Sequence, residues 1–179
     1  MARRTFNIRK LMNVSYKEVF YEQDGETIYL CDKRGFVAIQ TNDSVVLADL
    51  VNCGAVLTEK VGLKETMERI MNKSQSEEIF TYTETDIQFP YWHSSAGKKK
   101  TLTMFRDYNQ DYSVKLADVA ITDIFDPELI ISGKSKTDPI IVVCADCFGV
   151  IMPIIPNRQH TVDQRDNVKH LLDYFNNLR

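Results

Sequence analysis

The apolar residues of this chain are densest in residues 138–155, which read DPIIVVCADCFGVIMPII. Two apolar runs, at residues 140–143 and 148–151, lie on either side of the tetrapeptide that runs from Cys144 to Cys147. Short runs that are rich in isoleucine and valine and are bounded by turn residues are typical of buried strands. The pattern therefore predicts a β-hairpin in this segment.

Near the N-terminus, apolar residues at helical spacing predict a helix over roughly residues 9–20, which Asp24-Gly25 ends. Gly35 and the pair Asn42-Asp43 offer the backbone conformations that hairpin turns require. Strands are predicted at residues 5–8, 27–32, 36–41 and 45–51. These elements form a βαβββ unit whose last three strands are an antiparallel meander.

The same pattern begins again after residue 53. Leu63, Met67, Ile70 and Met71 are spaced at i, i+4, i+7 and i+8, which predicts a second amphipathic helix. Strands are predicted at residues 54–58, 78–83 and 86–89. Residues 90–100, PYWHSSAGKKK, combine proline, glycine, serine and a lysine run, and this composition is typical of a connector.

A third copy of the pattern is predicted, with strands at residues 101–106 and 128–132 and a helix between them. That helix begins at Asp111 or Ser113 and ends before Pro127, because proline disfavours the helical conformation of the preceding residue. After residue 156, Thr161 and Gln164 fit a capping box. The apolar stripe of the terminal helix that follows consists of Val168, Leu171, Leu172, Phe175 and Leu178.

The predicted fold class is therefore α+β, built from repeated βαβββ units with antiparallel sheets and an added C-terminal amphipathic helix. Residues 1–92 hold two units, residues 93–100 are the connector, residues 101–155 hold the third unit, and residues 156–179 form the terminal helix. An irregular α+β domain without repeats explains the same pattern equally well.

Composition narrows the class of protein. The 179 residues are 44% hydrophobic and 26% charged, which is typical of a folded domain. The net charge of −3 gives no overall attraction to nucleic acid, so any basic face must be local. The basic N-terminus lacks the apolar core of a secretion signal, and no apolar run is long enough to span a bilayer. A cytoplasmic protein without a membrane segment is expected.

No sequence motif indicates an enzyme. Cys144 and Cys147 form a CxxC, which can bind zinc or exchange disulfides, but no second pair completes a zinc site. Their position at a predicted hairpin turn favours a packing role. His93, His160 and His170 are dispersed, and the chain has neither a glycine-rich phosphate loop nor a Gly-x-Ser-x-Gly elbow. We expect no catalytic residue, metal or cofactor.

Three stretches resemble the DNA sliding clamps, the ring-shaped processivity factors of replicative polymerases. FNIRKLMNVSY, with the later IYLCDKRGFVAIQTND, is similar to the opening helix and hairpin of a bacterial clamp. GAVLTEKVGLKETMERIMN looks like the strand and helix that open the second half of a clamp domain. The stretch from YNQDYSVKLADV to CADCFGVIMPI is similar to the closing unit, with its final Met-Pro strand. Clamp domains pair two such units, whereas three are predicted here.

The resemblance implies a non-enzymatic processivity or tethering factor in DNA replication that encircles a duplex as a homo-oligomer. It would contact double-stranded DNA without sequence specificity, through helices facing phosphates. The expected DNA-binding residues are Arg9, Lys10, Lys17, Lys64, Arg69, Lys73, Lys98, Lys99 and Lys100. Polymerase or other replication proteins would dock short peptides in a groove formed by Tyr91, Trp92, Val150, Met152 and Pro153.

The same residues also fit different structures and functions. The basic helix residues are equally typical of ordinary solvated faces, and the aromatic cluster at residues 89–93 more often anchors a loop to the core. A rival function is a small phage or mobile-element protein that binds and inhibits or modulates a host protein through sheet edges or the terminal helix. A weaker alternative is an enzyme whose site assembles from scattered residues.

Overall fold

A computed structural model describes residues 4–15, 17–76, 78–93, 98–107, 114–117, 121–135 and 137–154. The helices in these residues are α1 (Ile8–Val14), α2 (Val46–Asn52), α3 (Leu63–Ser76) and α4 (Ile121–Ile124). The strands are β1 (Glu18–Asp24), β2 (Thr27–Asp32), β3 (Val37–Thr41), β4 (Val56–Glu59), β5 (Ile79–His93), β6 (Lys98–Asp107), β7 (Val114–Ala117), β8 (Leu129–Gly133), β9 (Ile140–Val143) and β10 (Cys147–Ile151).

The strands pair in the order β4-β1-β2-β3-β10-β9-β8-β5-β6-β7. Every pairing is antiparallel except that of β4 with β1. The first eight strands of this order form the sheet that carries the core. The long strand β5 leaves that sheet after pairing with β8 and continues as the partner of β6. The predicted α+β class and antiparallel sheet are thus confirmed.

One face of the sheet is covered by α1, α2 and α4. Leu11, Val46 and Ile121 from these helices pack on Leu30, Ile39 and other alternate strand residues, and all of them are fully buried. Alternate residues of a strand point to one face, so this cluster defines a single packed layer. Gly149 belongs to this layer, because a Cβ at that position would overlap the ring of Phe125.

The opposite face is covered by α3. Leu63 and Met67 of this helix pack on Tyr29, Cys31 and Val150, which are the neighbours in sequence of residues on the first face. The helix therefore lies on the other side of the sheet from α1, α2 and α4. The predicted stripe of this helix is confirmed, since Leu63 and Met67 are buried and Ile70 packs against the same cluster.

The turn between β2 and β3 is held by a buried carboxylate. Asp32 is fully buried, and its side chain accepts hydrogen bonds from the backbone N–H groups of Arg34, Phe36 and Val37, at 3.2, 2.6 and 2.8 Å. Buried polar groups are tolerated when they are hydrogen-bonded in this way. The carboxylate thereby fixes the whole connection between the two strands.

A buried ammonium plays the same part in the loop between β8 and β9. Lys115 of β7 is fully buried, and its Nζ donates to the backbone carbonyls of Ser135 and Asp138. The Nζ also lies 5.4 Å from the ring centroid of Tyr82, whose hydroxyl donates to the carbonyl of Gly133 at 3.1 Å. Burial lowers the pKa of Lys115 to about 8, although the charge of Asp138 opposes this shift.

Three predicted strand and helix positions in the N-terminal part are wrong. Residues 5–8 were expected as a strand, but Phe6 forms only an isolated β-bridge and Ile8 begins α1. Residues 45–51 were expected as a strand but form α2, because Val46 and Leu50 lie one helical turn apart and both bury in the core. The helix expected over residues 9–20 ends at Val14, since Lys17 takes a left-handed conformation with φ of 65°. The chain then extends as β1, which places Val19 in the core.

Predictions for the later part of the chain are also corrected. Within the helix expected from residue 111 to 124, residues 114–117 form β7 and residues 121–124 form α4, and the others lie outside the described residues. Within the connector expected at residues 90–100, residues 90–93 belong to β5 and residues 98–100 to β6. The predicted hairpin of β9 and β10 is confirmed. The predicted terminal helix at residues 156–179 lies outside the described residues.

Candidate functional site

The N-terminal segment crosses one end of the sheet and joins several elements. Arg4 donates through Nε to Asp43 at 2.6 Å and through Nη2 to Asp49 at 2.7 Å. Phe6 forms a β-bridge with Phe125, just after α4. These contacts join the segment to α2 and to the end of α4, although they lie far apart in sequence.

The same segment holds the turn between β9 and β10. The backbone N–H of Thr5 donates to the carboxylate of Asp146 at 3.2 Å, and its hydroxyl contacts the same carboxylate. The hydroxyl of Thr5 is also 3.7 Å from the Sγ of Cys147. On the other side of the turn, Thr41 donates through its hydroxyl to the carbonyl of Asp146 at 3.4 Å. The turn is thus fixed between Thr5 and Thr41.

A cleft of about 960 Å³ opens beside this turn. Its size is at the upper end of the range that ligand sites commonly occupy. It wraps around the ends of β3, β9 and β10 and reaches the start of α2. The lining residues are Arg4, Gln40, Thr41, Asn42, Asp43, Ser44, Val45, Asp49, Cys144, Ala145, Asp146, Cys147 and Phe148.

The charges in the cleft are unequal. Three carboxylates, those of Asp43, Asp49 and Asp146, face one guanidinium, that of Arg4. Burial lowers the pKa of Arg4, but its hydrogen bonds and charge interactions with Asp49 and Asp43 outweigh burial and raise that pKa. Since Arg4 neutralises only one of the three carboxylates, the cleft has an excess of negative charge.

The two cysteines of the turn are in contact with each other. Cys144 N–H donates to the carbonyl of Cys147 at 3.0 Å, so the residues are cross-strand neighbours. The neighbouring side chain of Cys147 lowers the pKa of Cys144, although burial opposes this shift. The pKa of Cys147 is raised, first by its interaction with Cys144 and then by burial. The arrangement favours a thiolate at Cys144 over one at Cys147.

Apolar side chains form the rim of the cleft. Val45 is 45% exposed and Phe148 is 38% exposed. Phe148 lies opposite Val143 in the sheet register, and Val143 lies opposite Leu129, which is 42% exposed. These three residues share a face, so a partly exposed apolar row leads away from the cleft. Exposed apolar groups beside a charged cleft are typical of an interaction site.

The predicted DNA-binding residues do not lie together. Arg9 and Lys10 on α1 are exposed, and Lys17 is exposed just after that helix. Lys64, Arg69 and Lys73 are on α3, which covers the opposite face of the sheet. One duplex running along a single face would therefore contact only one of the two groups.

The basic residues of α3 are also partly neutralised. The Nζ of Lys64 lies 2.5 Å from Asp24 and 4.0 Å from Glu68, and the Nζ of Lys73 lies 3.7 Å from Asp138. Asp24 is also the principal cause of the raised pKa of Lys64. The three lysines at residues 98–100 begin β6, and their side chains lie outside the described part of the structure.

The residues of the predicted partner groove also lie on different elements of the fold. Val150 is buried beneath α3, and Met152 packs against the same cluster, with Pro153 half-buried after it. Tyr91 and Trp92 belong to β5, where their backbones pair with Lys100 and Lys99 of β6. Their side chains lie outside the described residues, so the groove is untested there. Val150 itself is a core residue rather than an open contact.

Sequence reasoning missed four charged residues of the cleft. Arg4, Asp43, Asp49 and Asp146 are brought together from three separate segments, and no local pattern marks this meeting. A weak signal was present, because Asp146 lies between the two cysteines of a predicted turn and Asp43 lies in a predicted turn as well. Both turns were interpreted as connections only.

The described residues contain no group of three or more histidine, cysteine or acidic side chains placed to hold a metal ion. Within the same part of the chain, no helix is both long and apolar enough to cross a bilayer. Comparison with protein-family models gave no match to this chain, and no match was found among curated proteins or solved structures. The cleft beside the β9–β10 turn is therefore the candidate site on its geometry alone.

Proposed function

We propose that the protein is a non-enzymatic binding protein whose cleft at the β9–β10 turn accepts a basic segment of a partner protein. The observation that carries this proposal is the charge of the cleft, in which Asp43, Asp49 and Asp146 face only Arg4. Complementary charge guides partners together and disfavours acidic ones. A basic segment is the chemistry that this excess of carboxylates fits.

The apolar rim supports a protein segment over a free metal or small cation. Val45 and Phe148 offer exposed apolar surface at the mouth of the cleft. Lysine and arginine side chains have long apolar stems, which can cover such surface while their charged ends reach the carboxylates. A peptide with basic and apolar residues would therefore use both parts of the site.

The site is also held in place before any partner arrives. Arg4 is fixed by two carboxylates, and Asp146 accepts hydrogen bonds from Thr5. Binding sites whose groups are already positioned lose less entropy on association. We expect the contact to involve little change in the sheet.

A labelled short peptide of alternating lysine and leucine is the probe for this proposal. Adding positive charge at the exposed rim, by the double variant Ser44→Lys and Ala145→Lys, leaves the Arg4 ion pairs in place. The matched control is Thr58→Lys with Thr66→Lys, which makes the same charge change at exposed positions outside the cleft lining.

Fluorescence anisotropy should show weaker peptide binding to the rim variant by roughly tenfold or more, equivalent to about 1.4 kcal/mol. The control variant should bind as the native protein does. An acetylated peptide, which lacks the lysine charges, should bind weakly to all three proteins. Equal weakening by the rim and control variants would mean that only net charge matters, and it would contradict the proposal.

A sliding-clamp-like tethering function on DNA is the second candidate, with repeated βαβββ units and a ring of identical copies as part of that proposal. The observation in its favour is that Arg9, Lys10 and Lys17 are exposed, and no ion pair to them occurs within the described residues. Such cations can contact phosphates without reading sequence.

Light scattering and duplex binding at several salt concentrations test this second candidate. If the protein is a clamp-like tether, light scattering should show an oligomer, and the affinity for duplex DNA should fall steeply as the salt concentration rises. Replacing Arg9 and Lys10 by glutamine should reduce the salt dependence. A monomer that does not bind duplex DNA at low salt would exclude it.

A further inference from the structure

We propose that Cys144 and Cys147 form a reversible disulfide across the β9–β10 turn, by exchange with a low-molecular-weight disulfide that enters the cleft. This is a modification site separate from partner binding, and its test uses no partner. The two cysteines lie at the ends of a two-residue turn, one position beyond the pair Phe148 and Val143 that begins the β9–β10 ladder.

The backbone geometry suits a disulfide. The bond from Cys144 N–H to the Cys147 carbonyl, 3.0 Å long, places the two residues opposite each other, in the register that Phe148 and Val143 set, as in a hydrogen-bonded antiparallel pair. Cα atoms of such a pair are about 5.5 Å apart, which lies within the range that disulfides span. Both side chains belong to the cluster on the face that is covered by α1, α2 and α4. Bond formation therefore needs little movement of the backbone.

The cleft gives a reagent a route to the pair. Both cysteines line the 960 Å³ opening, next to the exposed residues Ala145 and Asp146. Each thiol is itself largely covered, so a small disulfide would approach from the open side of the turn rather than through the core. The neighbouring Cys147 lowers the pKa of Cys144, which favours the thiolate, the form that attacks a disulfide.

The other two cysteines lack these features. Cys31 is buried beneath α3, and burial raises its pKa to about 11. Cys53 is half-buried at the end of α2 and lies in neither the turn nor the 960 Å³ cleft. The described structure gives neither residue a cysteine neighbour. The reactivity of Cys31 and Cys53 in the same sample is therefore the control for the reactivity of the pair.

The exchange balances in two steps. The Cys144 thiolate attacks one sulfur of oxidised glutathione, which forms a mixed disulfide and releases one glutathione thiolate that takes up a proton. Cys147 then loses its proton to solvent, and its sulfur attacks the sulfur of Cys144, which releases the second glutathione. Two protein thiols are oxidised by two electrons, and one glutathione disulfide is reduced to two thiols.

Oxidation would also alter the anchor of the N-terminal segment. The Sγ of Cys147 lies 3.7 Å from the Thr5 hydroxyl, which also contacts Asp146. A bond to Cys144 redirects that sulfur and removes its proton. The contact between the N-terminal segment and the turn therefore differs between the reduced and oxidised forms.

The test is to equilibrate the full native chain with oxidised and reduced glutathione, alkylate the free thiols, and digest with trypsin. Cleavage after Lys136 and Arg158 places both cysteines of the pair in residues 137–158, whereas Cys31 and Cys53 fall in residues 18–33 and 35–60. We expect the peptide 137–158 to lose both alkyl groups and two hydrogens, while the other two peptides stay alkylated. In the Cys147→Ser variant, we expect a stable glutathione adduct at Cys144.

A native chain that keeps both thiols reduced, but forms the bond once urea is added, would show that the fold opposes the disulfide and would overturn the proposal. Glutathione adducts that persist on the native 137–158 peptide would overturn it as well. An adduct on Cys147 but none on Cys144, in the two single serine variants, would reverse the assigned order of attack. Reaction of Cys53 at the same rate as the pair would exclude any special role for the turn.

Discussion

Two turns at opposite ends of the same sheet are held in different ways. The β2–β3 turn is closed by its own residue, because Asp32 accepts three N–H groups that lie within five positions of it. The β9–β10 turn is held from outside, by Thr5, which is 141 positions away from Asp146 in sequence. The first turn buries its polar group, whereas the second exposes Asp146 to a cleft.

The difference separates a structural site from a candidate functional one. A carboxylate that is fully buried and satisfied within one hairpin has no free capacity for a ligand. The β9–β10 turn takes its contacts from a distant segment and borders the acidic cleft. Its polar groups therefore stay accessible to a partner. We expect changes at the first turn to affect stability, and changes at the second to affect chemistry and binding.

The largest effect is expected for Asp32→Ala. This variant leaves three N–H groups without their acceptor, and we expect the free energy of unfolding to fall by about 3 kcal/mol. Urea denaturation measures the change. Asp32→Asn keeps an acceptor oxygen and should be less destabilising. Thiol exchange at Cys144 should be the same in both folded variants as in the native chain, and a change in it would break the distinction between the turns.

The buried ammonium of Lys115 predicts a pH dependence of stability. Its folded pKa of about 8 is lower than the ordinary value of 10.5, so between these pH values the unfolded chain binds a proton that the folded chain does not. Stability therefore rises with pH across this interval, by about 3 kcal/mol. The rise should be absent from Lys115→Met. Urea denaturation at several pH values compares the two proteins, and parallel curves would contradict this account of burial.

A smaller effect is expected at the second turn. Thr5→Val removes the hydroxyl contact with Asp146 while it keeps the backbone bond, and we expect a loss of about 1 kcal/mol. Alkylation of Cys147 should become faster, because the anchor beside its sulfur is lost. Mass spectrometry of the alkylated peptides measures both cysteines. An unchanged rate with unchanged stability would mean that the N-terminal segment does not hold the turn.

The sequence predicted the parts of the fold that depend on local pattern. The hairpin of β9 and β10, the strands β2 and β3, and the stripe of α3 follow from apolar spacing within each segment. Residues 45–51 were predicted wrongly because a run such as VVLADLV suits a strand or a helix until its neighbours are known. Val46 and Leu50 pack in a core whose other residues come from strands that are distant in sequence.

The candidate site was harder to predict than the fold. Arg4 meets Asp43 and Asp49 only because the N-terminal segment crosses the end of the sheet, and a sequence does not display such a crossing. The cysteine pair was visible as a motif, but its hydrogen bond and its cleft depend on the β9–β10 register and on Thr5. The basic residues of α1 and α3 were expected on one surface, and their placement on opposite faces depends on which side of the sheet each helix covers.

The last variant, Phe148→Ser, tests the apolar rim. The side chain is 38% exposed and its remaining surface is buried, so the free energy of unfolding should fall by about 1 kcal/mol or more while the protein stays folded. Binding of the lysine–leucine peptide should nevertheless weaken, because the apolar rim is reduced. Val61→Ser, at a position that is 89% exposed and outside the cleft lining, is the matched control for anisotropy and for urea denaturation. Equal peptide binding by both variants would exclude Phe148 from the site.

The most direct test of the acidic cleft as the binding site is a titration of isotope-labelled protein with the lysine–leucine peptide, followed by amide NMR shifts. If the peptide binds in the acidic cleft, the largest shifts occur at Asn42, Ser44, Ala145 and Phe148, with little change at Glu65 and Glu68 on α3. The largest shifts at α3, with none around the β9–β10 turn, would contradict it.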